Sequence, residues 1–206
     1  NHANLFLQNK IKNGSLKAIC DKNEEFGKNF PNIPFYNKLD NFFDKKLIDV
    51  AIIATPHRSH IDLGEQALKR GINIIIEKPL AVTSAQCREF IEFSKNYDSK
   101  FGIMLNQRTN PAFIKLKKMI TSGELGKIHR YQWTITDWFR TNYYYNISNW
   151  RATWKGEGGG VLMNQSIHQL DLCQWLFGMP DSVITDMQLG HFHNIEVEDE
   201  VTSILK

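Results

Sequence analysis

The chain has 206 residues, a formal net charge of +3 at pH 7, 42% hydrophobic and 23% charged residues, the balance of a globular protein with room for a sizeable core. Its lysines are scattered, with no long basic run, which argues against a nucleic-acid partner. No apolar run approaches the roughly 20 residues that a membrane-spanning helix needs, which argues against a membrane partner.

Taken in chain order, "NHANLFLQNKIKNG" sets Ala3, Phe6, Leu7 and Ile11 near helical spacing, with Gly14 as a C-cap. A chain that opens inside a helix and closes on the mid-strand run "VEDEVTSILK" reads as a fragment cut at both ends. "SLKAICD" predicts a short strand ending in Asp21, "NEEFGKNF" a helix, "IPFY" a strand and "LDNFFD" a short helix. "IDVAIIATP" is a β-branched strand stopped by Pro56, followed by a helix with Ser59 as N-cap. "INIIIEKP", a helix over 83–97 and "KFGIMLNQR" complete an alternation of helices and solidly apolar strands. That pattern predicts a parallel sheet covered by helices.

After Arg108 the character changes. "PAFIKLKKMITSGELG" predicts an amphipathic helix with Phe113, Leu116 and Ile120 inward. "IHRYQWTITDWF" predicts a strand of an antiparallel sheet. A polar, aromatic loop leads to a helix over 158–178, ended by Gly178 and Pro180, and then to two more strands. The fold class expected is α/β: a Rossmann-type parallel sheet over 1–108, N-terminally incomplete, then an α+β domain over 109–206 with an open, mainly antiparallel sheet, C-terminally incomplete. Cys20, Cys87 and Cys173 are far apart in apolar segments and read as reduced core thiols, so a cytoplasmic setting is expected; the opening residues carry no signal-peptide pattern.

In an open parallel sheet, ligands bind beyond the carboxyl ends of the strands. Four such ends are polar here: Asp21; "ATPHRSH" with Thr55, Pro56, His57 and His60; "EKP" with Glu77, Lys78 and Pro79; and "NQR" with Asn106 and Arg108. A carboxylate at Asp21 can accept both ribose hydroxyls of an adenosine and repels a 2′-phosphate, which favours NAD over NADP; Lys22 beside it works against that preference. A glycine-rich phosphate turn would lie upstream of Asn1. "GEGGGV" at 156–161 nearly matches that turn but follows a loop rather than a strand. The pairs His57/His60 and His191/His193 lack a nearby cysteine, and no metal is expected. Asn164, His168 and Asp171 stand at i, i+4 and i+7, on one face of an otherwise apolar helix. Either His168 and Asp171 form a hydrogen-bonded pair inside the core, or the stripe borders a cavity with His168 as general acid/base.

Together these residues resemble the Gfo/Idh/MocA family of nicotinamide-dependent sugar oxidoreductases. "EKPL" at 77–80 is similar to the family's E-K-P motif, "GGGVLMNQSIHQLDLCQWLFG" at 158–178 to its G-G-x-L-x-(D/N)-x-x-x-H-x-x-D signature, and "ATP" at 54–56 followed by His60 to the turn that covers the cofactor. The resemblance implies a hydride passed between NAD and a secondary hydroxyl of a sugar, inositol or sugar derivative. It implies that Lys78 hydrogen-bonds the reacting hydroxyl, that His168 takes its proton, and that Glu77, Trp150 and Arg151 reach towards the cofactor. Asn164, Gln165 and Trp154 are expected at the substrate, with Tyr143–Tyr145 as further stacking faces. Pro79 is expected to follow a cis bond. Many members carry aspartate where this chain has Asn164. The rivals are a regulator that senses NAD and sugar without turnover, against which the retention of both Lys78 and His168 speaks, and an NAD-dependent glycosidase. Assembly of copies through the C-terminal sheet is expected.

Overall fold

In the computed structural model of this chain, residues 2–44, 47–136 and 139–206 are described. The first half places α1 (His2–Leu7) before two parallel sheets. In the smaller one, β1 (Ile19–Cys20) pairs with β2 (Phe35–Tyr36). In the larger one, β3 (Val50–Ile53), β4 (Asn73–Ile76) and β5 (Phe101–Ile103) lie in that order. The helices α2 (Leu39–Asp44), α3 (His60–Leu68) and α4 (Ser84–Ser94) connect them. Continuous isoleucines make β4 the centre of the core. Ile74 and Ile76 pack with Ile53, Leu68, Phe43 and Phe90, all buried, as expected of strands covered by helices. Asn73 ties the sheet together at its start. Its Nδ2 donates to the Asp49 carbonyl (3.1 Å) and its Oδ1 accepts from the Lys100 N–H (2.8 Å).

The second half holds α5 (Pro111–Thr121), α6 (Asn142–Asn146), α7 (Val161–Asn164) and α8 (Ile167–Phe177). It ends in an antiparallel pair, β6 (Val183–Leu189) with β7 (Glu198–Leu205). Asn110 caps α5, its Oδ1 accepting from the Ala112 N–H (2.9 Å), and Pro111 occupies the first turn.

Several expectations need correction. The first helix stops at Leu7 and turns through Asn9 at φ 54°, so Gly14 is not its cap. The segment after Asp21 is helical as expected, in the form of a 3₁₀ helix over Glu24–Asn29. Ser59 occupies the N-cap position of α3 as expected but makes no capping bond with its side chain; a 3₁₀ turn, His57–Ser59, precedes the helix, and the Ser59 hydroxyl lies 2.7 Å from both Thr55 Oγ1 and the Pro56 carbonyl. The expected strand over 128–139 is not formed in residues 128–136, where no neighbouring strand pairs with it; Asp137 and Trp138 lie outside the described residues. Alternation makes a strand only where a partner takes up its backbone hydrogen bonds.

The expected single helix over 158–178 is also broken. It begins at Val161, and the Gln165 and Ser166 N–H groups both donate to the Val161 carbonyl (3.0 and 2.7 Å) before α8 begins. Asn164 and His168 therefore belong to two short helices and do not share a regular face. Asp171 is not paired with His168 either. It receives a forked bond from Arg108, in the 3₁₀ turn Asn106–Thr109 that follows β5, with Nε to Oδ2 at 2.8 Å and Nη2 to Oδ1. This fork joins the parallel half to α8. Asp171 keeps 10% of its side chain exposed, so Arg108→Ala leaves a nearly buried carboxylate without its charged donor. A loss of about 1–3 kcal/mol is expected in urea unfolding; an unchanged midpoint would show that the fork contributes nothing.

Candidate active site

The Ile-rich β4 ends at Ile76 and delivers Glu77 and Lys78 to the cleft between the two halves. The Lys78–Pro79 bond is cis, as expected. Lys78 is half-buried, and its Nζ donates to the Asn164 carbonyl (2.7 Å) and to Asn164 Oδ1 (2.9 Å). The amine of one half is thereby fixed by α7 of the other. Asn164 Nδ2 donates in turn to the Tyr144 hydroxyl (3.1 Å) and to Glu157 Oε1. Burial lowers the pKa of Lys78, against the raising influence of the Glu77 and Glu157 carboxylates. His168 is half-buried near the same amine. Its pKa is lowered by burial and then by the Lys78 charge, while Glu77 and Asp171 act the other way. Its Nδ1 is buried without a hydrogen-bond partner among the described residues. A cavity of about 280 Å³ opens beside Lys78, walled by Leu80, Ile103, Leu105, Ile167 and Leu170.

Glu77 Oε1 lies 2.7 Å from His2 Nε2, and its Oε2 accepts from the Lys78 N–H at 3.2 Å. Around the turn after β3, Thr55 and Pro56 are exposed while His57 and His60 are buried. His60 faces backbone carbonyls with both ring nitrogens, Nδ1 to Pro79 (2.7 Å) and Nε2 to Thr55 (2.8 Å), and so links the ends of β3 and β4. His57 Nδ1 meets the Glu157 carbonyl (3.0 Å), and its ring packs edge-on against Trp150, 5.0 Å between centroids. Burial pushes the His57 pKa down to about 4. The unfolded chain then binds a proton that the folded one refuses between about pH 6.5 and 4. Stability is expected to fall as the pH drops through that window, by at most about 3 kcal/mol from this group. His57→Gln should shallow the fall in acid-dependent thermal unfolding; an identical pH profile in the variant would remove His57 as its source.

Arg151 lies over both Tyr144 and Trp150, 4.6 Å from each ring centroid, and 3.6 Å from Glu157 Oε1. Four of the expected site residues lie outside the network around Lys78. Trp154 is 46% exposed, on a loop whose backbone carbonyl accepts from Arg58 Nη2 (2.9 Å). Arg108 is occupied by Asp171, and Asn106 lies in the same 3₁₀ turn, its carbonyl accepting from the Thr109 hydroxyl (2.6 Å). Asp21 is exposed at the end of β1, in the other sheet, with Oδ1 accepting from the Asn23 N–H (2.8 Å).

The residue that sequence reasoning missed is Glu157, whose side chain sits at the centre of the network and whose surface is 1% exposed. The signal lay in the glycines around it. A Cβ on Gly156 would stand 2.2 Å from the Trp150 carbonyl oxygen, and one on Gly160 would stand 1.9 Å from that of Glu198. "GEGGG" is therefore a place of close backbone approach, not a phosphate turn. The donor set suits a dinucleotide: a carboxylate beyond β1, a hydroxyl and a buried imidazole after β3, and an amine after β4, at carboxyl ends of parallel strands.

Fold and site thus define a Rossmann-like dinucleotide-binding unit followed by a domain with an antiparallel sheet. Residues 1–104 match the model described as "Oxidoreductase family, NAD-binding Rossmann fold", and residues 113–206 match the "GFO/IDH/MocA C-terminal domain". The chain belongs to the Gfo/Idh/MocA oxidoreductase family. It is 30% identical over 139 residues to levoglucosan dehydrogenase of Pseudarthrobacter phenanthrenivorans, covering 67% of this chain and 35% of that protein. It is 24% identical over 186 residues to scyllo-inositol 2-dehydrogenase (NADP(+)) IolW of Bacillus subtilis, covering 89% of this chain and 49% of that protein. Among solved structures, a levoglucosan dehydrogenase in complex with NADH and levoglucosan aligns with a TM-score of 0.76 at 25% identity, covering 92% of this chain and 54% of that one. The WlbA dehydrogenase of Chromobacterium violaceum, in complex with NADH and UDP-GlcNAcA, aligns over 100% of this chain and 59% of that one with a TM-score of 0.86; at 24% identity the likeness is one of fold. The chain spans about half the length of the curated relatives it matches, 44–47% for three of them.

Proposed function

We propose that this protein is an oxidoreductase that moves a hydride between NAD and a secondary hydroxyl of a sugar, inositol or sugar derivative. The observation that carries this is the Lys78 amine, set at the end of the buried strand β4 and fixed by Asn164 across the cleft. Names of relatives as levoglucosan and inositol dehydrogenases support the sugar-like substrate class. Bound NAD would supply the hydride-accepting ring, as the cofactor's own chemistry. Lys78 would donate to the reacting oxygen and stabilise the charge that grows on it. His168, with Nδ1 sealed away, would take the hydroxyl proton at Nε2. Asn164 and Gln165 would orient the substrate. Thr55, Pro56, His57, Glu77, Trp150 and Arg151 would lie along the cofactor, and His60 would hold the two strand ends that carry it.

The division into a dinucleotide-binding domain over 1–108 and a substrate domain over 109–206 belongs to the same proposal. So does contact between copies through the C-terminal pair, where Val183, Ile184 and Met187 of β6 are 60%, 60% and 53% exposed. No helix among the described residues is long and apolar enough to cross a membrane.

Asp21 beyond β1 favours NAD. With full-length protein, NAD or NADP and a panel of polyols and sugars, reduction is followed by absorbance. A kcat/KM for NAD at least about tenfold above that for NADP is expected, a difference of about 1.4 kcal/mol. Equal efficiency, or a preference for NADP, would point to Lys22 as a phosphate ligand.

A further inference from the structure

We infer that Glu157 is a positioning residue: it locks the Asn164 amide in the orientation that presents Oδ1 to Lys78, and it supplies, one hydrogen bond further out, a negative charge that acts on that amine beside the charge of Glu77. The inference rests on the reading of Lys78 as the group that meets the reacting hydroxyl.

The orientation follows from what each group can do. A lysine amine only donates and a carboxylate only accepts. Between Lys78 and Glu157 the amide fits one way round, Oδ1 towards Nζ at 2.9 Å and Nδ2 towards Oε1. The Tyr144 hydroxyl, 3.1 Å from Nδ2, accepts from the same nitrogen. Glu157 is itself held: Oε2 accepts from the Ala152 N–H at 2.7 Å, and Arg151 Nη1 is 3.6 Å from Oε1. Ala152 has φ 53°, a left-handed conformation that alanine rarely adopts. The loop is bent, at a cost, where its N–H meets the buried carboxylate.

Asparagine at 164 and glutamate at 157 are therefore a matched pair. An aspartate at 164 would set one carboxylate against another. A glutamine at 157 would turn a donor towards either Asn164 Nδ2 or the Ala152 N–H. Exchanging both restores the line of bonds from Lys78 to Ala152: the carboxylate now at 164 would accept from Lys78 and from the new amide at 157, whose oxygen would accept from Ala152, while the Tyr144 hydroxyl would reverse its role and donate to position 164. The charge then moves into direct contact with Lys78.

The test is competitive labelling of Lys78 with acetic anhydride across pH, read by mass spectrometry and scaled to each protein's own plateau. The charged and titratable groups around Lys78 are Glu77, Glu157, Arg140, Arg151, His57 and His168, and only position 157 or 164 is changed. In E157Q the labelling midpoint should fall, with scaled labelling at a fixed lower pH rising about three- to tenfold. In E157Q/N164D the midpoint should return to the wild-type value or above. A midpoint unmoved in E157Q, or a double variant no different from E157Q, would overturn the inference. Should E157Q fail to fold, N164D should melt below the wild type and E157Q/N164D should regain that loss; a double variant less stable than N164D would overturn it equally. Labelling needs neither substrate nor turnover. A result against Glu157 thus leaves the Lys78 chemistry standing, and failure of that chemistry is read separately in the turnover assay.

Discussion

Lys78→Ala is expected to lower kcat by at least about 10²-fold, the scale of removing one preorganised donor from a developing charge. The amine is delivered by a strand whose Ile74 and Ile76 are buried, and it is fixed by two bonds to Asn164. Little reorganisation then stands between the resting site and the reacting one. Affinity for NAD should change much less, because most of the cofactor is to be held by other residues. Steady-state kinetics with NAD titrated at saturating polyol separates the two effects. A variant that turns over at the wild-type rate would leave Lys78 a structural residue and would favour a ligand-sensing protein.

His168→Ala should cost about 10²–10⁴-fold in the oxidation rate, the range for a lost general base. The pH profile distinguishes this from a packing defect. A base must be neutral to accept a proton, so the oxidation rate rises as pH passes upward through its pKa. Burial and the Lys78 charge lower that pKa. The midpoint of the rise should therefore lie below the ordinary histidine value near pH 6.5. The alanine variant should lose that acidic limb along with its activity. If it keeps the wild-type limb at reduced rate, the proton leaves by another group.

Much of the parallel half was legible because its signals are local. Val50–Ile53 and Asn73–Ile76 are runs of β-branched residues closed by proline or by charge, and they appear as β3 and β4. Thr83 and Asn110 cap α4 and α5, their side-chain oxygens accepting from the Gln86 and Ala112 N–H groups, although neither was read as a cap from the sequence. What was not legible depends on partners distant in sequence. Residues 128–136 alternate like a strand but lack the neighbour that would make them one. The helix break falls just after Asn164, whose side chain bonds Lys78, Tyr144 and Glu157 at separations of 86, 20 and 7 residues. Arg108 looked like a cofactor ligand because it follows a strand end, yet its partner Asp171 lies 63 residues away. Glu157 was hidden by its setting, since a glutamate between glycines reads as a solvent loop. Only the close approaches at Gly156 and Gly160 reveal that the backbone there is packed from both sides.

The most direct measurement of the central claim follows hydrogen rather than absorbance. Full-length protein is given NAD and a polyol or sugar bearing deuterium on the carbon of its reacting hydroxyl, and the recovered cofactor is weighed by mass spectrometry. Direct hydride transfer predicts reduced cofactor carrying one deuterium per turnover, and an initial rate of deuterium transfer at least about 10²-fold lower when Lys78 is replaced by alanine at the same protein concentration. NAD bound tightly, with no reduced and deuterated cofactor across the whole panel, would contradict the account and leave a sensor on the same fold.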